Sequence, residues 1–365
     1  MKRAIIVGAG IAGLATALRL GRDGWRTTVL ERAPGRRSSG YLINLNGPGY
    51  DAAERLGLLP ALAARALGDF TTTLIRADGR PKFTVPPGLV GDRFLALFRG
   101  DLETVLHEAV RESARFRFAT TITTIEQTPT GVRVKLSDGT TEEAELLVGA
   151  DGVHSATRAA LFGDGFEVEF PYRVAAFPIT GPAESAATTF IGPGRTAAKL
   201  NLGPDRSSAF FTWRSEGPEA SVRSVFGDLE AFGATIDGMG PDAYLDRVSQ
   251  VVLPRWSDGR AVLLGDAAWC VTLFAGHGAG LALAGADRLG EALSRHGDDV
   301  PAALAAWEAG LRPAVTKRQA LARRGMRQYV PPNRFHVWMN DLMIRALTVP
   351  AARALIRRGL ERQNR

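Results

Sequence analysis

Six residues near the start of the chain, Gly8-Ala9-Gly10-Ile11-Ala12-Gly13, have the types and the spacing to hold a pyrophosphate. The first glycine makes a tight turn, the second lets backbone approach the phosphates, and the third lets a helix pack closely on a strand. The helix N-terminus then offers free N–H groups and the positive end of its dipole. The motif needs a strand before it and a helix after it. Residues 3–7 (RAIIV) read as a buried strand, 12–21 as a helix and 27–31 as a second strand, a βαβ opening with the glycines at its first turn. Glu31 closes the second strand eighteen residues after Gly13, where its carboxylate can accept both hydroxyls of an adenosine ribose, with Arg32 beside it. An acid there disfavours a 2′-phosphate, which leaves NAD or FAD as the occupant and not NADP. The bland alternative is a glycine-rich turn with a surface glutamate.

Four further segments favour the flavin. Asp266 follows the apolar strand Ala261-Val262-Leu263-Leu264-Gly265, well placed for ligand hydroxyls and badly placed for phosphate; alternatively it caps a helix. Gly276-His277-Gly278-Ala279-Gly280 opens a long helix whose N–H groups and dipole would face the pyrimidine end of a flavin. Arg99-Gly100-Asp101-Leu102 opens another helix, and Arg99 either reaches the cofactor or is solvated. Gly149-Ala150-Asp151-Gly152-Val153-His154-Ser155 ends a further strand, and can also be read as a plain turn with Asp151 and Ser155 capping the next helix.

The ordered set VGAGIAGLATALRL, LER, FRGDLETVLHEA, VGADGVHSATR and LGDAAW resembles the flavin monooxygenases typified by para-hydroxybenzoate hydroxylase, and within them the shorter members that include tetracycline-inactivating monooxygenases. The resemblance covers nearly the whole chain. It implies non-covalent FAD, NADH or NADPH as a transient co-substrate, and dioxygen activated as a flavin hydroperoxide that passes one oxygen atom to an aromatic or enolisable carbon. It places Asp151 near the pyrophosphate, with Arg158 anchoring the same turn, Asp266 at the ribityl chain, and Gly278, Ala279 and Gly280 at the flavin ring. Arg37 falls in a loop that supplies a phosphate or flavin contact. No catalytic side chain is assigned, because the cofactor carries the hard step. Two positions depart from the family pattern: Leu273 replaces a proline beside the flavin, and Gly280 replaces an asparagine. They imply a looser loop or a reshaped oxygen pocket. They also keep open an FAD-dependent dehydrogenase, oxidase or reductase, and beside it a non-catalytic flavin-binding protein.

These motifs must be carried by a chain of 365 residues, of which 45% are apolar and 23% charged, the range of ordinary globular proteins. The expected fold is α/β. A discontinuous Rossmann-like FAD-binding body (1–71, 95–165 and 258–330) carries an inserted, mostly antiparallel β-sheet substrate domain (72–94 and 166–257). A C-terminal helical segment (331–365), apolar positions alternating with arginine, is expected to pack on the body. Phe177, Phe190, Phe211 and Trp213 of the inserted sheet, with Trp269 and Phe274, are candidates for a wall that stacks on an aromatic substrate, or are core. The net charge of +7 comes from scattered arginines and not from runs, which argues against a nucleic-acid surface. The lone Cys270, expected to be a small buried side chain, excludes an internal disulfide framework and a multi-cysteine metal site. His277 is either a proton-relay group or an exposed loop residue. The start imitates a signal peptide, but the glycine spacing has no use in one. The expectation is a soluble, cytoplasmic monomer or homodimer with a small-molecule partner and no membrane association.

Overall fold

The computed structural model describes residues 1–36, 41–68, 71–85, 93–180, 186–201, 207–215, 220–241, 243–346 and 349. The chain opens as β1 (Arg3–Val7), α1 (Ile11–Arg22), β2 (Arg26–Leu30), β3 (Leu42–Asn46), α2 (Gly47–Arg55) and α3 (Leu59–Ala63). A hairpin follows, β4 (Thr71–Ile75) and β5 (Pro81–Val85), then β6 (Phe94–Phe98), α4 (Arg99–Val110), β7 (Arg115–Arg117), β8 (Ile122–Gln127), β9 (Val132–Leu136), β10 (Thr141–Ala144), β11 (Leu146–Gly149) and α5 (Ala156–Phe162). Long strands come next: β12 (Glu167–Ile179), β13 (Ala186–Gly192), β14 (Arg195–Asn201) and β15 (Ser207–Arg214). The short helices α6 (Val222–Phe226) and α7 (Gly233–Asp237) precede β16 (Tyr244–Val251), β17 (Ser257–Asp258), β18 (Ala261–Leu263) and α8 (Asp266–Trp269). The chain then becomes helical, as α9 (Gly278–His296), α10 (Val300–Tyr329) and α11 (Arg334–Ala346).

Two sheets do most of the positioning. The first runs β17-β18-β11-β1-β2-β7, with all pairs from β18 to β7 parallel. Its central strands are apolar throughout, as burial on both faces demands: Ala4–Val7 and Leu146–Val148 are inaccessible or nearly so. The second runs β16-β12-β15-β14-β13-β4-β5 and is antiparallel except for the β13–β4 pair. The α/β architecture read from the sequence is therefore observed. On α4 the buried face is Leu102, Glu103, Val105, Leu106 and Val110, so an acid takes one of the interior places.

Helix α11 rests on two surfaces, the end of α10, where Asn340 donates to the Gln328 carbonyl at 3.0 Å, and the β5 end of the large sheet. Asp341 pairs with Lys82 at 2.9 Å, and Ile344 packs on Leu74, Val85 and Ile191. The helix's carboxylate finds a lysine partner there, and its apolar side finds a strand edge. No helix among the described residues is long and apolar enough to cross a membrane.

One buried carboxylate joins the helices that frame the site. Asp287 of α9 is 2% exposed and receives Arg19 of α1 at 2.5 Å and Arg55 of α2 at 2.6 Å. Both arginines keep contact with solvent, so removing the acid strands no buried cation. Asp287→Asn is expected to cost about 2 kcal/mol, measured as a lowered denaturation midpoint with an unchanged slope.

Candidate active site

A cavity of about 840 Å³ lies between the two sheets. Its first end is built by the glycine motif. Gly8 has φ +104, and a Cβ there would lie 2.4 Å from the Ala150 carbonyl oxygen; a Cβ on Gly13 would lie 1.9 Å from the Gly8 carbonyl oxygen. Gly13 is thus a packing glycine and not part of the cavity wall, while Gly8, Gly10 and Ala12 line the cavity. Gly10 is different. A Cβ added there would meet nothing closer than Arg99 Nη2 and Glu103 Oε1, both at 3.9 Å. The protein's own packing does not require glycine at this position, and it caps α1 with no side-chain hydrogen bond. A bare helix N-terminus facing open space fits a pyrophosphate.

Glu31 and Arg32 line the same end. The Glu31 carboxylate accepts from the backbone N–H of Ala9 at 2.9 Å and of Ala33 at 2.8 Å, which fixes both oxygens and leaves each a lone pair for a ribose hydroxyl. Arg99 lines the cavity while its guanidinium pairs with Glu103 at 2.7 Å, so it is neither free nor simply solvated. Arg37 lies outside the described residues.

Asp151 also lines the cavity, but its carboxylate is spent on the start of α5. One oxygen accepts from the Thr157 N–H at 2.9 Å and hydroxyl at 3.0 Å, the other from the Ser155 hydroxyl at 2.5 Å. The capping alternative describes this side chain. Arg158 ties that turn to the Asp266 turn, donating to the carbonyls of Val153 at 2.7 Å and Ala267 at 3.2 Å. His154 bridges outward to the large sheet, with Glu167 at 3.3 Å and Asp246 at 3.2 Å.

Asp266 opens onto the cavity yet lies deep in the molecule. That depth pushes its carboxyl above the usual aspartate range, against the pull of Arg99 and a hydrogen bond from Cys270. Helix α9 also begins here: Gly278 and Ala279 line the cavity, and no side chain caps the helix. Gly280 does not line it. It is buried against α2, where a Cβ on Gly49 would lie 2.4 Å from the Gly280 Cα. His277 is half-buried and not a loop residue in solvent; burial pushes its pKa down, and one ring nitrogen meets the Ala275 carbonyl. Cys270 is buried as expected, and its thiol is pushed up by the same burial.

The substrate-wall candidates divide sharply. Phe274 lines the cavity, stacked on Tyr329 at 5.3 Å and edge-on to Tyr172 at 5.8 Å. Trp269 does not; it is 1% exposed and packs with Trp256 at 4.6 Å and Trp307 at 5.6 Å inside the nucleotide-binding body. Phe177, Phe190, Phe211 and Trp213 are on the other face of the large sheet, where they form a core with Phe226 and Phe232. The expectation that they face a substrate is corrected by one residue of strand parity: Ser208 and Phe210 are the β15 side chains on the cavity. The signal was present. The parity Ala209-Phe211-Trp213 is wholly apolar, as a core face must be, and the parity Ser208-Phe210-Thr212 is mixed. Tyr41 and Tyr244 were also missed. Both line the cavity with rings 6.1 Å apart; burial pushes the Tyr41 phenol up to about 12 and raises that of Tyr244 further.

A family model for the FAD binding domain matches residues 1–230. The chain belongs to the FAD binding domain family. It is 28% identical to the FAD-dependent monooxygenase asL4 of Sarocladium schorii, over 95% of this chain and 92% of that protein. It is 32% identical to the phenazine 1,6-dicarboxylic acid hydroxylase PhzS of Lysobacter antibioticus, over 86% of this chain and 87% of that one. The crystal structure of the tetracycline destructase Tet(51) superimposes with a TM-score of 0.84 at 22% identity, covering 98% of both chains. The protein is an FAD-dependent oxidoreductase of the monooxygenase kind.

Two outcomes follow for this FAD binding domain. Gly10→Val is expected to abolish FAD retention while leaving the melting temperature of the FAD-free protein unchanged, whereas Gly13→Val unfolds the chain; heat-released FAD and a thermal scan distinguish them. A carboxylate accepts ligand hydroxyls better than a carboxyl group, so FAD affinity should fall as pH drops through the raised Asp266 pKa. That loss begins above the ordinary aspartate range and is flattened in Asp266→Asn, as read by FAD fluorescence titration against pH.

Proposed function

We propose that this protein hydroxylates an aromatic or polycyclic small molecule, consuming NADH or NADPH and dioxygen. The observation that carries the reading is one continuous cavity, which runs from the glycine motif and Glu31, past Asp266 and the α9 N-terminus, to Ser208, Phe210 and Thr189 on the large sheet. The names of the hydroxylase and the tetracycline destructase, whose substrates are polycyclic, support the substrate class. Bound there, FAD would take hydride from the nicotinamide and activate dioxygen, one atom going to the substrate and the other leaving as water.

The residues divide the remaining work. Gly8, Gly10, Ala12 and the α1 N-terminus hold the pyrophosphate, Glu31 and Arg32 the adenosine, and Asp266 the ribityl hydroxyls. Gly278 and Ala279 hold the pyrimidine edge of the ring through backbone N–H groups, and Arg99 supports the same surface. Cavities at domain interfaces exclude water while admitting ligand from both sides, and this one lies between the proposed FAD-binding segments (1–71, 95–165 and 258–330) and the proposed substrate domain (72–94 and 166–257). Within this reading the protein acts in the cytoplasm, where a single cysteine stays reduced, as a monomer or homodimer.

The deciding measurement is turnover of a polycyclic phenol under isotopically labelled dioxygen with mass detection. One labelled oxygen in the product is expected. A product lighter by two hydrogens, or one without label, would establish the dehydrogenase alternative that Leu273 and Gly280 keep open.

A further inference from the structure

The register of the large sheet fixes which side chains stand side by side on the cavity wall. One row crosses five strands as Tyr244, Ala176, Phe210, Ala198 and Thr189. The next row runs Ser208, Leu200, Ala187 and Thr72. Neighbouring strands lie about 4.8 Å apart, so Phe210 stands between two alanines and its ring is left partly exposed. Neither row carries a charge. Their side-chain polar atoms are the hydroxyls of Ser208, Thr189, Thr72 and Tyr244, the last donating to Asp246 at 3.0 Å.

The cations of this region are committed elsewhere. Lys199 shares a strand with Ala198 but points through to the other face, donating to the Ala231 carbonyl at 2.6 Å. Arg195 is paired with Asp228 at 2.6 Å, and Arg247, at the cavity rim, is paired with Glu169. Within these two rows an ionised carboxylate would lose its water and meet no lysine or arginine, and Arg99, elsewhere on the cavity, is already paired with Glu103 at 2.7 Å.

We infer that the wall selects an uncharged fused-ring substrate, with Phe210 as the platform on which its rings stack and Ala198 as the gap that admits them. The inference rests on the hydroxylase reading above and narrows it. It separates this protein from ring hydroxylases whose substrates carry carboxylates.

The test is calorimetric titration of the purified protein at pH 7 with 1-hydroxyphenazine and with phenazine-1-carboxylate, which share a ring system and differ in charge. The neutral compound is expected to bind at least tenfold more tightly. Phe210→Leu should weaken it fivefold or more and leave the carboxylate unchanged. Thr189→Arg, which puts a cation in the row, should improve carboxylate binding at least tenfold. Retained FAD colour in each variant reports that the fold is intact. Equal or tighter binding of the carboxylate, indifference to Phe210→Leu, or no binding of either probe would each overturn the inference. Because calorimetry needs no turnover, a protein that prefers the neutral ring but inserts no labelled oxygen fails only the hydroxylase reading. A protein that inserts oxygen without the preference fails only this one.

Discussion

The contact of Gly13 on the Gly8 carbonyl is the constraint on which the cofactor end depends. With no Cβ at 13, α1 begins almost on top of the end of β1, and its first N–H groups point past Gly10 into the cavity. Gly8 in turn lies so close to Ala150 that the turn after β1 and the turn after β11 share one surface. That brings Asp151 and Arg158 into the same corner, and Arg158 carries the connection on to Ala267 beside Asp266. Three loops far apart in sequence are thus held by backbone contacts and one buried guanidinium. The precision of the cradle comes from close packing and not from the side chains that would touch a ligand.

The large sheet applies a different constraint, the period of two. One face is closed by α6, α7 and the residues between them, and there the strands place Phe177, Phe190, Phe211 and Trp213. The other face is left for the cavity, and its side chains are smaller and partly polar. A sheet with both faces aromatic would need a second covering layer, and a sheet with neither would have no core. The bulky residues therefore mark where the helices are, not where the ligand is. His154 joins this sheet to the cofactor body by reaching Glu167 on β12 and Asp246 on β16, so the wall is registered against the cradle by a side chain of the loop after β11.

What could be read from the sequence follows from how local each feature is. The βαβ opening, the glycine roles, Glu31 and Asp266 were legible because each depends on a few consecutive residues whose chemistry allows few alternatives. The double-layer architecture was legible because the pattern changes from helical to strand-like and back. Three things were not. Parity on β15 was only weakly marked, because both alternating sets contain an aromatic residue, and the helices of 222–237 close the set that is wholly apolar. Trp269 reads as a loop aromatic until Trp256 and Trp307, from two other segments, surround it. The contact of α11 with β5 involves Lys82, more than two hundred and fifty residues away in sequence, which no local pattern can reveal.

The two departures from the family pattern suggest in sequence a slack loop beside the reacting ring. The packing around that loop argues the reverse. The carbonyl of Val271 receives the buried amide of Gln250 at 3.1 Å, and Gln319 donates to Val251 at 2.7 Å and to Cys270 at 3.4 Å. Phe274 is clamped between Tyr329 and Tyr172. Thr272 is held at φ +93, a conformation that costs a non-glycine residue about 1–3 kcal/mol and persists only where the surroundings over-determine it. A proline at 273 would restrict one φ; here two glutamines and three aromatic rings restrict the whole turn. At the far end of the loop the close approach of α2 and α9 needs glycine at 49, where a Cβ would lie 2.4 Å from the Gly280 Cα, while a Cβ on Gly280 would stand 3.4 Å from the Gly49 Cα. Packing around the turn thus supplies the rigidity that proline gives elsewhere and leaves the Leu273 side chain to shape the cavity.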